Sequence, residues 1–214
     1  MSPETHLLAS WILAAKTTRS PRDCALVTLA GVLPDADGLG LIVDVARRLL
    51  GLHPTMYYAE CHHVLLHGAP GAILIAGLLS CLARDRWRVA LLALVAVHLH
   101  IFCDLLGSRG PDRNDYWPIY YLSPLRSRPI WLWRGQWALD AWPNHVINVV
   151  LFGWSLWLAP RLGHSFVGLF SRRADARFVG ILRSWHADLS RKFGGAARGE
   201  ARAGSHDLRA GRDV

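Results

Sequence analysis

Three long apolar runs constrain the fold of this chain more than any other feature. They cover residues 63–83, 89–106 and 144–158, and polar or Pro-rich segments separate them. A helix needs roughly 20 mainly apolar residues to cross a bilayer. The first two runs reach that length only if their His and Asp side chains face inward, and the third is slightly short. The pattern predicts an all-α integral membrane bundle and leaves the number of spans open.

Composition supports a membrane location. Only 19% of the residues are charged and ten are Trp, whereas soluble domains average about 25% charged residues and Trp is enriched at membrane interfaces. The net charge of +8 comes almost wholly from Arg, since Lys16 and Lys192 are the only lysines. In so apolar a chain, basic charge more often faces anionic lipid than nucleic acid. We therefore expect membrane lipids as partners and no direct nucleic-acid binding.

The cysteines and the N-terminus carry weaker signals. No CxxC pair occurs, and all four cysteines lie in or beside apolar stretches, which favours small buried residues over a disulfide framework. They are Cys24, Cys61, Cys81 and Cys103. The N-terminus lacks a basic region before its apolar run, so we expect no cleaved signal peptide.

Two short helices should precede the long runs. The first is predicted from Pro3 to Ala15. The second begins at Ser20-Pro21, because Ser caps helices and Pro suits the first turn, and it should stop before Pro34. At around a dozen residues each, these helices would cover only ~18 Å. They are expected to be half-buried or tilted.

The C-terminal part divides into two further segments. After Pro160, apolar residues recur at helical spacing among arginines, which predicts a basic amphipathic helix on the membrane surface. The Gly/Ala/Arg composition from Gly194 predicts disorder. The expected units are a membrane helical domain (1–160), a basic amphipathic segment (161–193) and a disordered tail (194–214). The apolar positions of the amphipathic segment are Phe178, Leu182, Trp185, Leu189 and Phe193.

Ionisable residues inside apolar runs are the candidates for function, because burying them in a membrane is costly. His100 and Asp104 are four apart and share one helix face, as do His63 and His67. His98 points almost opposite His100 and is expected to be either a spare histidine or a support for the ligands. His and carboxylate together suit zinc, manganese or iron. The candidates are His6, Asp35, Asp37, His62, His63, His67, His98, His100 and Asp104.

Each candidate also has a simpler interpretation. His6 alone would be an ordinary surface histidine, and Asp35 with Asp37 could form a turn that ends a helix. His100 and Asp104 could be an internal hydrogen bond within a buried helix. The recurrence of such groups at the ends of successive apolar helices favours a shared metal site instead.

Topology gives an independent argument for a shared site. If each apolar segment crosses or partly crosses the bilayer, the basic turns at 16–22 and 84–88 fall on one side with the basic tail. The positive-inside rule makes that side cytoplasmic, although five arginines in the loop 107–142 weaken the orientation. The opposite side then receives His6, Asp35, Asp37, His62, His67, His100 and Asp104.

These residues follow the pattern of the YdjM-like family of membrane-bound, metal-dependent hydrolases, which the chain resembles over about residues 1–125. The pattern consists of an early His, an LPDxD loop, an HRxxTHS-type segment, and an HxxxD helix followed by a Gly-containing turn and Trp-Pro. Here His63 stands where the family often has Arg, and Leu66-His67-Gly68 replaces Thr-His-Ser. The family pattern favours His62 as ligand and helical geometry favours His63; we follow the pattern. The matching segments are His6, 33–37, 62–67, 100–104, 108–110 and Trp117-Pro118.

The resemblance implies hydrolysis, since the family is distantly similar to zinc-dependent phospholipase C. It implies a phosphoester substrate and one or two divalent ions, zinc first and manganese or iron as alternatives. His100 and Asp104 would be catalytic, and Arg109 would clamp phosphate; a headgroup contact is an equally good interpretation of Arg109. The expected location is a bacterial-type inner membrane, with several spans and a cytoplasmic tail.

Two other classes of function compete with the hydrolase. A non-catalytic membrane protein would use the metal to staple its helices, or its basic tail to bind a partner. A metal or proton transporter would need ionisable groups staged through the bilayer, and here they gather at one side.

Overall fold

The protein is mainly helical, as predicted. A computed structural model describes residues 1–62 and 64–210; the side chains of residues 59 and 192–210 lie outside that description. Along the chain the elements are α1 (Pro3–Thr17), α2 (Pro21–Ala30), a 3-10 helix (Leu33–Leu39), α3 (Gly40–Leu49), α4 (Tyr57–Cys61), α5 (Ala69–Cys81), α6 (Arg86–Gly107), β1 (Ile119–Tyr120), β2 (Ile130–Trp131), α7 (Trp142–Leu162), a second 3-10 helix (Phe166–Leu169) and α8 (Arg172–Ala210).

Small apolar residues line the contacts between the central helices. Val27 of α2, Ala72 of α5, and Ala93 and Val97 of α6 are fully or almost fully buried in one continuous core. Small side chains let helices approach closely, and such packing drives helix association where lipid removes the hydrophobic driving force. The core therefore fixes α1, α2 and α5 around α6.

A buried carboxylate joins the two basic turns. Ser20 caps α2 as predicted, with its hydroxyl accepting a hydrogen bond from the Asp23 amide at 3.1 Å. The Asp23 carboxylate accepts from the amides of Arg84 at 2.9 Å and Asp85 at 3.2 Å, between α5 and α6. The turns at 16–22 and 84–88 therefore lie side by side, as the predicted topology requires.

The outer surface of the bundle is strongly apolar. α6 is the one described helix that is long and apolar enough to cross a membrane alone, and only 39% of its apolar window is buried in the protein. α2 and the segment Leu33–Leu49 are long and apolar enough only when taken together, and the chain bends by 49° between them. Several full spans, as predicted, therefore remain a proposal. Large apolar side chains that face outward include Ile73, Leu74, Leu78, Leu91, Val95, Phe102, Val149 and Val150.

The long loop after α6 folds back on the end of that helix. Its two short strands pair antiparallel, with Ile119 opposite Trp131, a pairing the sequence did not predict. Gln136 donates its side-chain amide to the carbonyl of Asp104 at 3.0 Å, and Asn144 donates to the carbonyl of Gly107 at 2.9 Å. These bonds satisfy carbonyls that a helix end leaves without partners, and they hold the last turn of α6 in place.

The C-terminal helix differs in part from its prediction. α8 begins at Arg172, and Val179 and Leu182 are buried against the bundle, whereas Trp185 and Leu189 are exposed. Its first half therefore docks on the protein instead of lying only on a membrane surface. The backbone of α8 continues to Ala210, while residues 211–214 lie outside the described residues. The predicted disorder of the tail stays a prediction.

Candidate metal centre

Four separate parts of the chain bring the predicted ligands together. His6 comes from α1, Asp35 and Asp37 from the first 3-10 helix, and His100 and Asp104 from α6. His62 follows α4, and His67 precedes α5. Their ligand atoms form two neighbouring groups, each within 4.8 Å: His6, Asp35, His100 and Asp104, and Asp37, His62 and His67. The predicted convergence is observed.

The geometry of the first 3-10 helix explains why the carboxylates of Asp35 and Asp37 point to different parts of the centre. With three residues per turn, side chains two apart point about 120° away from each other. Asp35 Oδ1 lies 3.6 Å from His100 Nε2 and 3.9 Å from His67 Nε2. Asp37 instead faces the outer nitrogen of His67. One short helix thus places the Asp35 carboxylate near the Nε2 atoms of the two histidines and the Asp37 carboxylate behind the His67 ring.

The imidazole rings of His67 and His100 meet edge-on in the middle of the centre, with their Nε2 atoms towards each other. The outer nitrogen of each is engaged: His67 Nδ1 lies 3.0 Å from Asp37 Oδ2, and His100 Nδ1 lies 2.8 Å from the carbonyl of Gly31. These acceptors fix a proton on each Nδ1, so the Nε2 of each ring, when the ring is neutral, presents a lone pair. The two Nε2 atoms lie only 3.0 Å apart. Lone pairs so close repel each other unless a cation or proton lies between them.

Asp104 lies against the same two rings. Its Oδ2 is 2.9 Å from His100 Nε2 and 3.4 Å from His67 Nε2. Its Oδ1 accepts from the Ser108 hydroxyl at 2.8 Å and lies 3.1 Å from His6 Nε2; the α-amino group of Met1 also contacts Oδ1. Asp104 thus has one oxygen held by the protein and one facing the imidazoles.

Several buried polar atoms of the centre have no hydrogen-bond partner among the described residues. They are His6 Nδ1, Asp35 Oδ2 and Asp104 Oδ2. Buried polar atoms are normally satisfied. Two of these atoms are carboxylate oxygens, and carboxylate oxygens beside imidazole nitrogens are a ligand set that a divalent cation satisfies.

The centre also carries excess negative charge. Burial disfavours the charged form of His67, but hydrogen bonds and the charges of Asp104 and Asp37 outweigh burial and raise the pKa of His67 to about 9. Without another cation, the imidazole therefore holds a proton between the carboxylates. A metal ion would replace that proton and balance the same charges.

His62 occupies the outer part of the arrangement. Its Nδ1 lies 2.9 Å from Asp37 Oδ1, and its ring stacks on Tyr58 with centroids 4.7 Å apart. The competing candidate, His63, lies outside the described residues. His62 thus contacts Asp37 behind His67, and its predicted role as a metal ligand in preference to His63 stays a prediction.

A cavity of about 340 Å³ adjoins the centre. Asp35, Asp104 and His62 reach it from the polar side, and Leu39, Leu41, Ile42 and Trp117 supply apolar walls. Arg109 is not among the lining residues. Its Nε donates to the carbonyl of Gln136 at 3.1 Å and its Nη1 to that of Asp112 at 2.6 Å. In this conformation Arg109 holds the loop together, and its predicted phosphate role stays a prediction.

Sequence reasoning missed the residues that support the ligands. Ser108 lies one turn after Asp104, and that spacing was a usable signal. The carbonyl of Gly31 and the side chains of Gln136 and Tyr58 gave none, because backbone acceptors and long-range loop contacts leave no local pattern. His98, expected to be either spare or a support for the ligands, has its partners outside the centre: Leu94 O and the Tyr121 hydroxyl, at 2.7 and 2.9 Å.

The fold and the centre together define a helical protein with an apolar outer surface and a buried His/Asp cluster able to hold a metal ion. A family model described as YdjM inner membrane protein matches residues 1–172. The chain belongs to this family and is therefore a membrane protein, as predicted. No curated protein and no solved structure matches it significantly.

Proposed function

We propose that the protein is a membrane-bound, metal-dependent hydrolase acting on a lipid-like phosphoester. The observation that carries the proposal is the pair of Nε2 atoms at 3.0 Å, with Asp104 beside them. Ligands at 2.0–2.1 Å around a tetrahedral zinc ion are roughly 3.3 Å apart. The separation is close to that value, so zinc fits, with manganese or iron as alternatives.

The roles follow from the contacts. His67, His100, Asp104 and Asp35 would hold the ion, with His6 beside Asp104. Asp37 would orient His67, and such carboxylate–histidine pairs raise ligand basicity. His62 would in turn hold Asp37, which favours one ion over two. When bound, the metal supplies an activated water and stabilises charge on a phosphoryl oxygen.

The cavity favours catalysis over a purely structural metal. Structural zinc sites are closed by protein ligands, and catalytic sites keep a position open. Asp35 and Asp104 both border the cavity of about 340 Å³, so one side of the ligand set is accessible. The apolar walls from Leu39, Leu41 and Ile42 suit a substrate with an apolar part. The alternative is a metal that staples α1, the 3-10 helix and α6 without turnover, in a protein with a partner-binding or regulatory role.

We also propose the inner membrane of a bacterial-type cell, several spans, and a cytoplasmic basic end. The side-by-side basic turns support this orientation through the positive-inside rule. α5 and α7 would then lie in the bilayer together with α6, since both carry large exposed apolar side chains.

Metal analysis combined with a phosphoester screen tests the function. Full-length protein in detergent should bind a divalent metal and hydrolyse a phosphodiester or phospholipid. Asp104→Asn should lower metal affinity or activity by about 10- to 100-fold or more. His53→Ala is the matched control, because His53 is exposed and outside the centre. If metal-loaded protein hydrolyses no phosphoester and Asp104→Asn lowers only the melting temperature, the metal has a structural role and the hydrolase proposal is wrong.

A further inference from the structure

A second cavity lies beside α1 and α2, separate from the metal centre. It has a volume of about 290 Å³, near the lower end of ligand-pocket sizes, about 300 Å³. α1, α2, the second 3-10 helix and the start of α8 enclose it. On α1 its lining residue is Trp11, five residues beyond His6 and about 7.5 Å further along the helix. The cavity therefore lies towards the basic turns and away from the metal ligands.

The indole N–H of Trp11 needs an acceptor in this region. Trp11 is only 2% exposed, and its Nε1 has no hydrogen-bond partner among the described residues. The ring packs edge-on against His164 and Phe166, with centroids 6.1 and 6.2 Å away. A buried donor left unpaired is costly. Trp11 is one of the residues that line the cavity, so this unpaired donor belongs to the cavity wall.

Positive charge borders the same cavity. Arg22 of α2 and Arg172 of α8 both line it, and neither makes a hydrogen bond or ion pair with another described residue. Both lie in the first turn of their helices, where the helix dipole also favours an anion. The one acidic lining residue, Asp175, is already engaged: its Oδ1 accepts from the amide and hydroxyl of Ser165 at 2.8 and 2.5 Å. Asp175 keeps its charge, but two arginines against one carboxylate leave the lining with a net positive charge, which favours an anion.

The remaining walls are apolar. Ala25, Leu26, Leu29 and Leu169 contribute them, together with the Trp11 ring. A small inorganic ion would leave this surface without contacts. A ligand with an anionic group and an apolar body would cover these walls. Its binding free energy would become more favourable in proportion to the apolar area removed from water.

We propose that this cavity binds the phosphate headgroup of an anionic amphiphile, with the phosphate between Arg22 and Arg172 and an acceptor oxygen on the Trp11 indole. The site is distinct from the metal centre and does not depend on the proposed hydrolase activity. It lies towards the basic turns, which the proposed orientation places at the cytoplasmic leaflet, where anionic lipids are enriched.

Binding of short-chain phosphatidylglycerol to the full chain in detergent tests the proposal. Phosphatidylcholine of equal chain length and inorganic phosphate are the comparison probes. Phosphatidylglycerol should bind about tenfold or more tightly than either, and Arg22→Gln and Arg172→Gln should each weaken it by about tenfold, because each removes a charge-assisted hydrogen bond. Trp11→Phe, which keeps the ring and removes the N–H, should weaken it several-fold.

Arg173→Gln is the matched control, since Arg173 is exposed beside Arg172 but does not line the cavity. It should bind like the wild type. Equal losses in Arg172→Gln and Arg173→Gln would overturn the site in favour of a diffuse basic surface. Inorganic phosphate binding as tightly as the lipid would overturn the amphiphile. Equal affinity for phosphatidylcholine would overturn the selectivity for an anionic headgroup. Absence of lipid binding would overturn the site itself.

Discussion

At the scale of single residues, the centre depends on which nitrogen of each imidazole carries a proton. Asp37 and the carbonyl of Gly31 engage the Nδ1 atoms of His67 and His100, at 3.0 and 2.8 Å. The Nε2 lone pairs are thereby directed at one point. Neither acceptor would bind the metal, yet together they orient two of its ligands.

Replacing Asp37 tests this orienting role. Asp37→Asn keeps the size but removes the charge that holds the proton on His67 Nδ1, so metal affinity should fall by roughly 10- to 100-fold. Equilibrium competition with a chromogenic chelator measures the change. Asp112→Asn is the control, because Asp112 is an exposed carboxylate in the loop after α6. Unchanged metal affinity in Asp37→Asn would contradict the role.

Gly31 should tolerate no side chain. A Cβ at this position would lie 1.7 Å from Ser10 Oγ and 2.5 Å from Ser10 Cβ, so Gly31→Ala must push α1 and α2 apart. Such overpacking typically costs about 1–3 kcal/mol, and the Gly31 carbonyl would shift away from His100. Thermal unfolding and metal content should fall together.

Gly77→Ala provides the contrast. A Cβ at Gly77 meets nothing within 4 Å, and Ala is favoured over Gly in a helix by up to about 1 kcal/mol. This variant should melt at the same temperature or higher, with unchanged metal content. Equal behaviour of the two variants would show that the close approach at Gly31 is unimportant.

At the scale of elements, sequence patterns located most helices and failed where long-range contacts decide. α1, α2, α6 and α7 lie near their predicted positions, because apolar periodicity, Ser20 and Pro21 are local signals. Of the described residues in the apolar run 63–83, only Ala69–Cys81 are helical, so His67 does not lie on that helix as predicted. The pairing of β1 with β2 was missed, since two-residue strands carry no alternation. The docking of Val179 and Leu182 on the bundle was missed too, because an amphipathic helix has the same sequence pattern whether its apolar face packs on a membrane or on protein.

Asp23 is expected to stabilise the contact between two elements. It is almost fully buried and accepts hydrogen bonds from the amides of Arg84 and Asp85. Asp23→Ala leaves both amides without an acceptor, which should lower the free energy of unfolding by about 1–3 kcal/mol. Denaturant unfolding in detergent measures the loss. Asp23→Asn keeps one oxygen and should lose less; an equal or larger loss in Asp23→Asn would contradict the account.

At the scale of the whole molecule, the bundle has two chemically different ends. One carries the basic turns and the cavity beside Trp11, and the other carries the metal centre and the loop after α6. Exposed apolar side chains cover the helices between them. Such an arrangement suits a protein that crosses a membrane, with each end facing a different compartment.

Labelling with a membrane-impermeant maleimide tests that polarity. In a chain without other cysteines, Asp112→Cys should react in intact cells, because residue 112 follows the metal end of α6. Cys81, which is exposed beside the basic turns, should react only after the membrane is opened. The reverse pattern would invert the orientation, and labelling of both in intact cells would exclude a complete crossing.

The sequence by itself determined the class of fold, the membrane family and the set of candidate ligands. These follow from local properties: apolar run length, the cost of burying His and Asp, and an ordered series of short motifs. The choice among the histidines as ligands rested on the family pattern and not on spacing.

Only the tertiary structure decided which candidate residues face the imidazole Nε2 atoms and which lie behind them or outside the centre. Asp35 and Asp37 are equivalent in sequence, yet one reaches the Nε2 atoms and the other lies behind His67. Arg109 follows the HxxxD helix as expected, but its guanidinium donates to two carbonyls of its own loop. Such assignments depend on distances between residues far apart in the chain, and those distances are set by packing of the helices, which no local pattern encodes.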